Sequence, residues 1–351
     1  MKFRVEIESN GQKVLHSVTA STEELRKAIG DIPDVAQRAT SSLSNMGSFA
    51  LALNSSIEVV GRLQNVISGI ADDFNAFDKG MRAVNTMAGE SQEGLSLLTG
   101  QVEELANTIP LAKEELASGL YQVISNGVPK DNWIAFLEQS SKSAVGGIAD
   151  LGQTVTVTST LIKNYGLEWS EAAALQDKIQ TTAKNGVTSF EQLAQALPRV
   201  TGNAATLGVT VDELMASFAT LTGVSGNTNE VSTQMAAIFT ALVKPSSEAA
   251  EMAQAMGIQF DAAAIKAAGG FQNFLTNLDG TVKAYASANG MIAEEIYGKL
   301  FGSSEALRAL IPLNGELADT YRNNVAAIAD SGGTIDAAFE SMSGSGEAVT
   351  Q

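Results

Sequence analysis

Leu53, Ile57, Val60, Leu63, Ile67, Ile70, Phe74, Phe77, Met81 and Val84 recur at spacings of 4, 3, 3, 4, 3, 4, 3, 4 and 3 residues. A strand cannot produce that pattern, because its side chains alternate with period two. The spacing predicts a helix with an apolar seam over more than four heptads, irregular near Val60 and about 50 Å long at 1.5 Å per residue. Such a seam either packs on its own chain or joins copies of the chain, and periodicity does not choose between the two. Few charges flank it to set a partner.

The remaining sequence is read around this helix. Phe3, Val5 and Ile7 alternate with charged residues, Ser9-Asn10-Gly11 supplies a turn, and Val14 to Val18 form a return strand, which together predict a β-hairpin over 2–20. Ser21 with Glu24 is a capping box that opens a short helix. From about residue 99, helices and Gly or Asn breaks alternate. The β-branched run 153–162 is also read as helix, since turn residues do not bound its far side. Acid-x-Leu helix openings recur at 113–120, 190–197 and 211–218, with unequal gaps that fit helix initiation better than duplication. Ser331-Gly332-Gly333 and the Ser/Gly stretch 341–346 read as loop. The expected architecture is mainly α, in four parts: a hairpin and short helices over 1–45, the heptad helix over 46–98, a multi-helix globular region over 99–330, and a linker or disordered end over 331–351.

The 351 residues, 44% hydrophobic, are enough to build a real core. The 22 Lys plus Arg stand against 39 Asp plus Glu, a formal charge of −17. Between 201 and 280, Lys244 and Lys266 face seven acids. A nucleic-acid binder needs the opposite balance. With no cysteine there is no disulfide, thiolate metal site or cysteine nucleophile. The N-terminus lacks a signal-peptide core, and no stretch approaches the ~18 uninterrupted apolar residues of a spanning helix. The chain therefore reads as soluble.

Chemistry is sparse. His16 is the single histidine, too few for a triad or a zinc site, and falls on the hairpin. Asp72-Asp73 and Glu294-Glu295 are adjacent pairs that diverge by about 100° on a helix. Residues 73–78 imitate the start of a calcium loop, but the sixth position lacks Gly and the twelfth lacks Glu. No phosphate-binding or dinucleotide-binding glycine motif occurs among the 32 glycines, and Trp133 and Trp169 fit packing roles. The expectation is no enzyme, with no catalytic, cofactor-binding or metal-binding residue.

One ordered set of motifs points further. Ile162-Lys163-Asn164-Tyr165-Gly166-Leu167 is followed by Thr188-Ser189-Phe190-Glu191-Gln192-Leu193-Ala194. Then come Ala204-Ala205-Thr206-Leu207-Gly208-Val209-Thr210-Val211-Asp212-Glu213-Leu214 and Leu242-Val243-Lys244-Pro245-Ser246-Ser247-Glu248-Ala249. In this order, over about 99–310 and best over 159–258, the chain resembles the core domain of phage tail tape measure proteins, also called phage minor tail proteins. It departs from the family at Gly226-Asn227-Thr228-Asn229-Glu230, where a Gly-rich segment is usual.

The resemblance implies a structural protein of the virion tail lumen, assembled in host cytoplasm, that sets tail length, helps nucleate the tube and is released for DNA delivery. It implies partners among copies of itself, tail tube, tip or baseplate proteins and assembly chaperones, without specific nucleic-acid binding. It implies no cofactor, and membrane contact only through sequence beyond this chain. The ruler itself is expected downstream of an N-terminal module such as this. A tape measure of a phage-derived injection machine fits the same motifs. A membrane-active helical protein is the alternative from another class, on the strength of the apolar stretch 257–275, which Gln259, Asp261, Lys266 and Gln272 interrupt.

Overall fold

The computed structural model describes residues 2–9, 12–19 and 76–344. It divides into two compact units, Met1–Lys79 and Gly80–Gln351. In the first, β1 (Lys2–Ser9) and β2 (Gln12–Thr19) pair antiparallel, with Lys2 opposite Thr19 and Ser9 opposite Gln12.

From 76 to 344 all regular structure is helical. The described part of α1 covers 76–88. It is followed by α2 (Gln92–Leu105), α3 (Lys113–Ser125), α4 (Trp133–Gly147), α5 (Leu151–Tyr165), α6 (Ala172–Asn185), α7 (Phe190–Ala196), α8 (Pro198–Leu207) and α9 (Val211–Ser225). Then come α10 (Thr228–Val243), α11 (Ser247–Met256), α12 (Ala262–Ala268), α13 (Phe271–Asn289), α14 (Ala293–Phe301), α15 (Ser304–Asn314), α16 (Ala318–Ala329) and α17 (Thr334–Gly344).

Helix α9 is the axis of the second unit. Residues 213–222 are buried on every face, enclosed by α6, α10, α15 and α16. A helix buried all round is apolar or small along most of its length, and a charge there, as at Glu213, must be hydrogen-bonded. Leu214, Met215, Phe218 and Leu221 supply the bulk, while Ser217 and Thr222 return their hydroxyls to the carbonyls of Glu213 and Phe218. Elsewhere in the unit, Phe239 and Phe271 meet edge-to-face at 5.6 Å, and Phe260 meets Phe301 at 5.0 Å. Full burial of each such ring is worth about 1.5–3 kcal/mol.

The β-branched run 153–162 lies inside α5, as expected. Asp150 caps the helix, and the hydroxyls of Thr154, Thr156 and Thr158 bond to the carbonyls four residues back. Those local bonds satisfy threonines that would otherwise favour a strand.

Two expected boundaries differ. The spacing predicts a heptad region over 46–98, but α1 ends at 88. Gly89 is left-handed there, the Asn85 side chain pairs with the backbone of Glu90, and Ser91 caps α2. The compact second unit accordingly begins at Gly80 rather than at 99. The second difference is at the other end, within 331–351, which reads as a linker. Residues Thr334–Gly344 instead form α17, which packs on α4 and α6. Gly and Ser composition marks turns, but tertiary contacts here override it.

Candidate functional site

Of the seam residues, Leu53, Ile57, Val60, Leu63, Ile67, Ile70 and Phe74 lie outside the described residues. Phe77, Met81 and Val84 fall on α1, and all three are buried. Between them, a Cβ added to Gly80 would stand 3.0 Å from the Cβ of Ala117 on α3, so this end of the helix packs tightly inside its own chain.

Of the residues weighed for chemistry, those on the described helices take packing, capping or ion-pair positions. His16 sits on β2 opposite Val5. The Trp133 indole donates to the Val128 carbonyl at 2.7 Å, and Trp169 meets Phe136 edge-to-face at 5.7 Å. Glu294 and Glu295 lie in the first turn of α14, where carboxylates favour the helix dipole, and Glu295 pairs with Lys299. Among the described residues, no group of three or more His, Cys, Asp or Glu could hold a metal ion.

Two buried carboxylates stand out, and both serve helix N-termini far away in sequence. Glu213 accepts from the Thr210 N–H at 3.0 Å, closing the capping box of its own helix. Its other oxygen accepts from the Gln272 N–H at 3.0 Å, in the first turn of α13. Gly270, at φ 131°, permits this approach, since a Cβ there would fall 2.7 Å from the same oxygen. Asp177 on α6 accepts from the N–H groups of Gly333 (2.9 Å) and Ile335 (2.8 Å) at the start of α17. Orphan amides at a helix start need such acceptors.

Beside Asp177, the Gln176 side chain is fully buried and ties three helices together. Its Nε2 donates to Ser140 on α4 and Thr158 on α5, and its Oε1 accepts from Ser143 at 2.6 Å. Lys178, one residue on, pairs with Asp212 at the start of α9. Sequence reasoning missed this constellation. Its one local trace is a Gln-Asp-Lys triplet on a helix with little apolar character.

Three tyrosines are shifted by burial. The Tyr321 hydroxyl donates to the Glu213 carbonyl; burial, and secondarily the Glu213 charge, raise its pKa. The same two causes raise that of Tyr165. Burial, aided by the hydrogen bond to Asp279, raises that of Tyr297. All three groups are held neutral, an arrangement suited to packing rather than proton transfer.

The surface offers shallow features. Gln195, Arg199, Asn227, Glu230 and Thr233 line an open polar groove of about 460 Å³, beside the start of α10. Ile148, Val187 and Val224 are exposed near the C-terminal ends of α4, α6 and α9. Five large apolar residues of the 257–275 stretch, by contrast, are buried: Phe260, Ile265, Phe271, Phe274 and Leu275. Among the described residues, no helix is long and apolar enough to cross a membrane.

Comparison with known proteins gives the arrangement a context. The model of the family described as phage-related minor tail protein matches residues 99–302, more than half of the chain. A probable tape measure protein of Clostridium phage phiCD119 is 24% identical over 358 residues, covering 95% of this chain and 37% of that protein. The tape measure protein of Pneumococcus phage Dp-1 is 23% identical over 186 residues, covering 53% of this chain and 16% of that protein. The chain thus spans well under half the length of either relative. No solved structure matches.

Proposed function

Because this chain belongs to the phage-related minor tail protein family, we propose that it is a structural component of a phage tail, the tape measure protein or a part of it. In this reading it sits in the tail lumen, contributes to setting tail length and to nucleating the tube, and is released when DNA is delivered. The observation that carries the reading is the family match over 99–302, which falls on α-helical elements where the buried Gln176 and Glu213 are spent on hydrogen bonds within the fold. Tube, tip and assembly-chaperone proteins are its proposed partners. A rod-like assembly would use the seam from Leu53 to Phe74 for self-association, since Met81 and Val84 are already packed within the chain.

The acidic balance suits a protein that shares a channel with DNA without gripping it. The membrane-active alternative loses its support, because the apolar residues that suggested it form core contacts.

Stopping translation of this chain in the phage that encodes it is the direct test. Electron microscopy should then show filled heads without normal tails. Tails of unchanged length and number would overturn the proposal. Light scattering on the purified chain and on an Ile67→Asp/Ile70→Asp variant tests the seam: an oligomer that the variant dissolves supports it, and two folded monomers refute it.

A further inference from the structure

We propose that α17 is a detachable strap, clasped by Asp177, which undocks from α4 and α6 about the Ser331-Gly332-Gly333 hinge while the rest of the helical domain stays folded. The first amides of α17 find their acceptors outside the helix itself. The Gly333 and Ile335 N–H groups donate to the two oxygens of Asp177, and the Thr334 N–H donates to the Ser331 carbonyl. The clasp is a buried side chain lying 156 and 158 residues away from the amides it holds. Thr181, one turn further along α6, adds a hydroxyl contact to Thr334 at 3.2 Å.

Beyond that end the helix lies close along α4 but buries little side chain completely. Ile335 is the only residue within α17 that is fully buried, whereas residues 213–222 of α9 are buried without a gap. Cooperative units that bury little apolar surface open first. The fit is nonetheless specific. Gly146 on α4 lets the backbone of α17 come close, since a Cβ there would lie 2.9 Å from the Phe339 nitrogen and 3.2 Å from the Ala338 Cβ. The hinge is equipped to swing, with Gly332 and Gly333 exposed and Gly333 at φ 79°.

Native-state hydrogen exchange on the full chain, read by mass spectrometry for each helix, tests this. In the unmutated protein, amides of α17 should exchange through a local opening at least about tenfold more frequent than the opening that exposes α9. Equal protection of α17 and α9 would overturn the strap. Asp177→Asn should speed α17 exchange by about tenfold or more, the weight of charge-assisted hydrogen bonds to amides, and leave α9 as it was. No change in α17, or equal acceleration of every helix, would remove Asp177 from the role. Gly146→Leu provides a second route that spares the carboxylate, and it should loosen α17 with the same selectivity.

Discussion

Glu213 and Gln272 are joined across 59 residues by a 3.0 Å hydrogen bond from the Gln272 N–H to the Glu213 carboxylate. One side chain thereby closes the starts of two helices, α9 and α13. Its backbone carbonyl also accepts from Tyr321 of α16.

Glu213→Ala should therefore cost more than an ordinary capping change. A cap on one exposed helix is worth about 1 kcal/mol. Here three charge-assisted hydrogen bonds (from the Thr210 amide and hydroxyl and from the Gln272 amide) are lost in a buried setting. The expected loss is about 3 kcal/mol by urea unfolding. A loss below about 1 kcal/mol would mean that water replaces the carboxylate at both helix ends.

How much of this could be read from the sequence depends on the range of the interaction. The helix starts at Lys113, Phe190 and Val211 were legible because acids in a first turn act locally, and α3, α7 and α9 begin there. Glu213 could be read as half of a capping box with Thr210, three residues away. Its bond to Gln272 could not, since nothing near either residue encodes the other. The same holds for α17. Gly332 and Gly333 read correctly as a break, but the helix after them depends on Asp177 and Gly146, which only the fold brings near. Of the seam, the buried faces of Phe77, Met81 and Val84 match the periodicity. Spacing alone could not tell that Met81 and Val84 are spent on an internal core.

Glycines within helices separate into two kinds with opposite predicted effects. At Gly119 on α3, a Cβ would lie 2.4 Å from Leu151 Cδ2 and 3.0 Å from Leu137 Cδ1. Gly119→Ala should destabilise by about 1–3 kcal/mol, as overpacking does. Gly280, in the middle of α13, has nothing within 4 Å of a built Cβ. Gly280→Ala should stabilise by about 0.5–1 kcal/mol, because alanine gives up less backbone entropy on entering a helix. Thermal melts of both variants check the pair, and the prediction fails if the two shifts have the same sign.

Alkaline stability should be limited by the tyrosines. Tyr165, Tyr297 and Tyr321 are all raised above the usual value near 10, chiefly by burial. The unfolded chain therefore releases these protons first. Their contribution is fully present below about pH 10 and is lost as pH rises beyond it. At pH 11, each group held neutral in the fold costs about 1.4 kcal/mol relative to neutral pH. Unfolding free energies measured at pH 8 and pH 11 should fall by about that much less in Tyr321→Phe than in the parent. Equal falls would show that the Tyr321 hydroxyl ionises in place.

Ile148 ends α4 as a β-branched residue in the left-handed region, at φ 50° and ψ 57°, with 72% of its surface exposed. Its amide bonds to the Val145 carbonyl and the next amide to Ala144, so the turn is closed by backbone alone. Glycine is the usual occupant of this position, and a side chain with a Cβ costs about 1–2 kcal/mol there. With so little burial, isoleucine recovers little of that cost within the chain. Ile148→Gly should raise the unfolding free energy by about 1 kcal/mol, with the hydrogen bonds to Val145 and Ala144 retained. If it lowers stability instead, the side chain makes a contact that outweighs its backbone strain. If it stabilises the isolated chain but lowers the yield of assembled tails, the strain is kept for a partner that covers Ile148. Urea titration and particle counts on the one variant distinguish these outcomes.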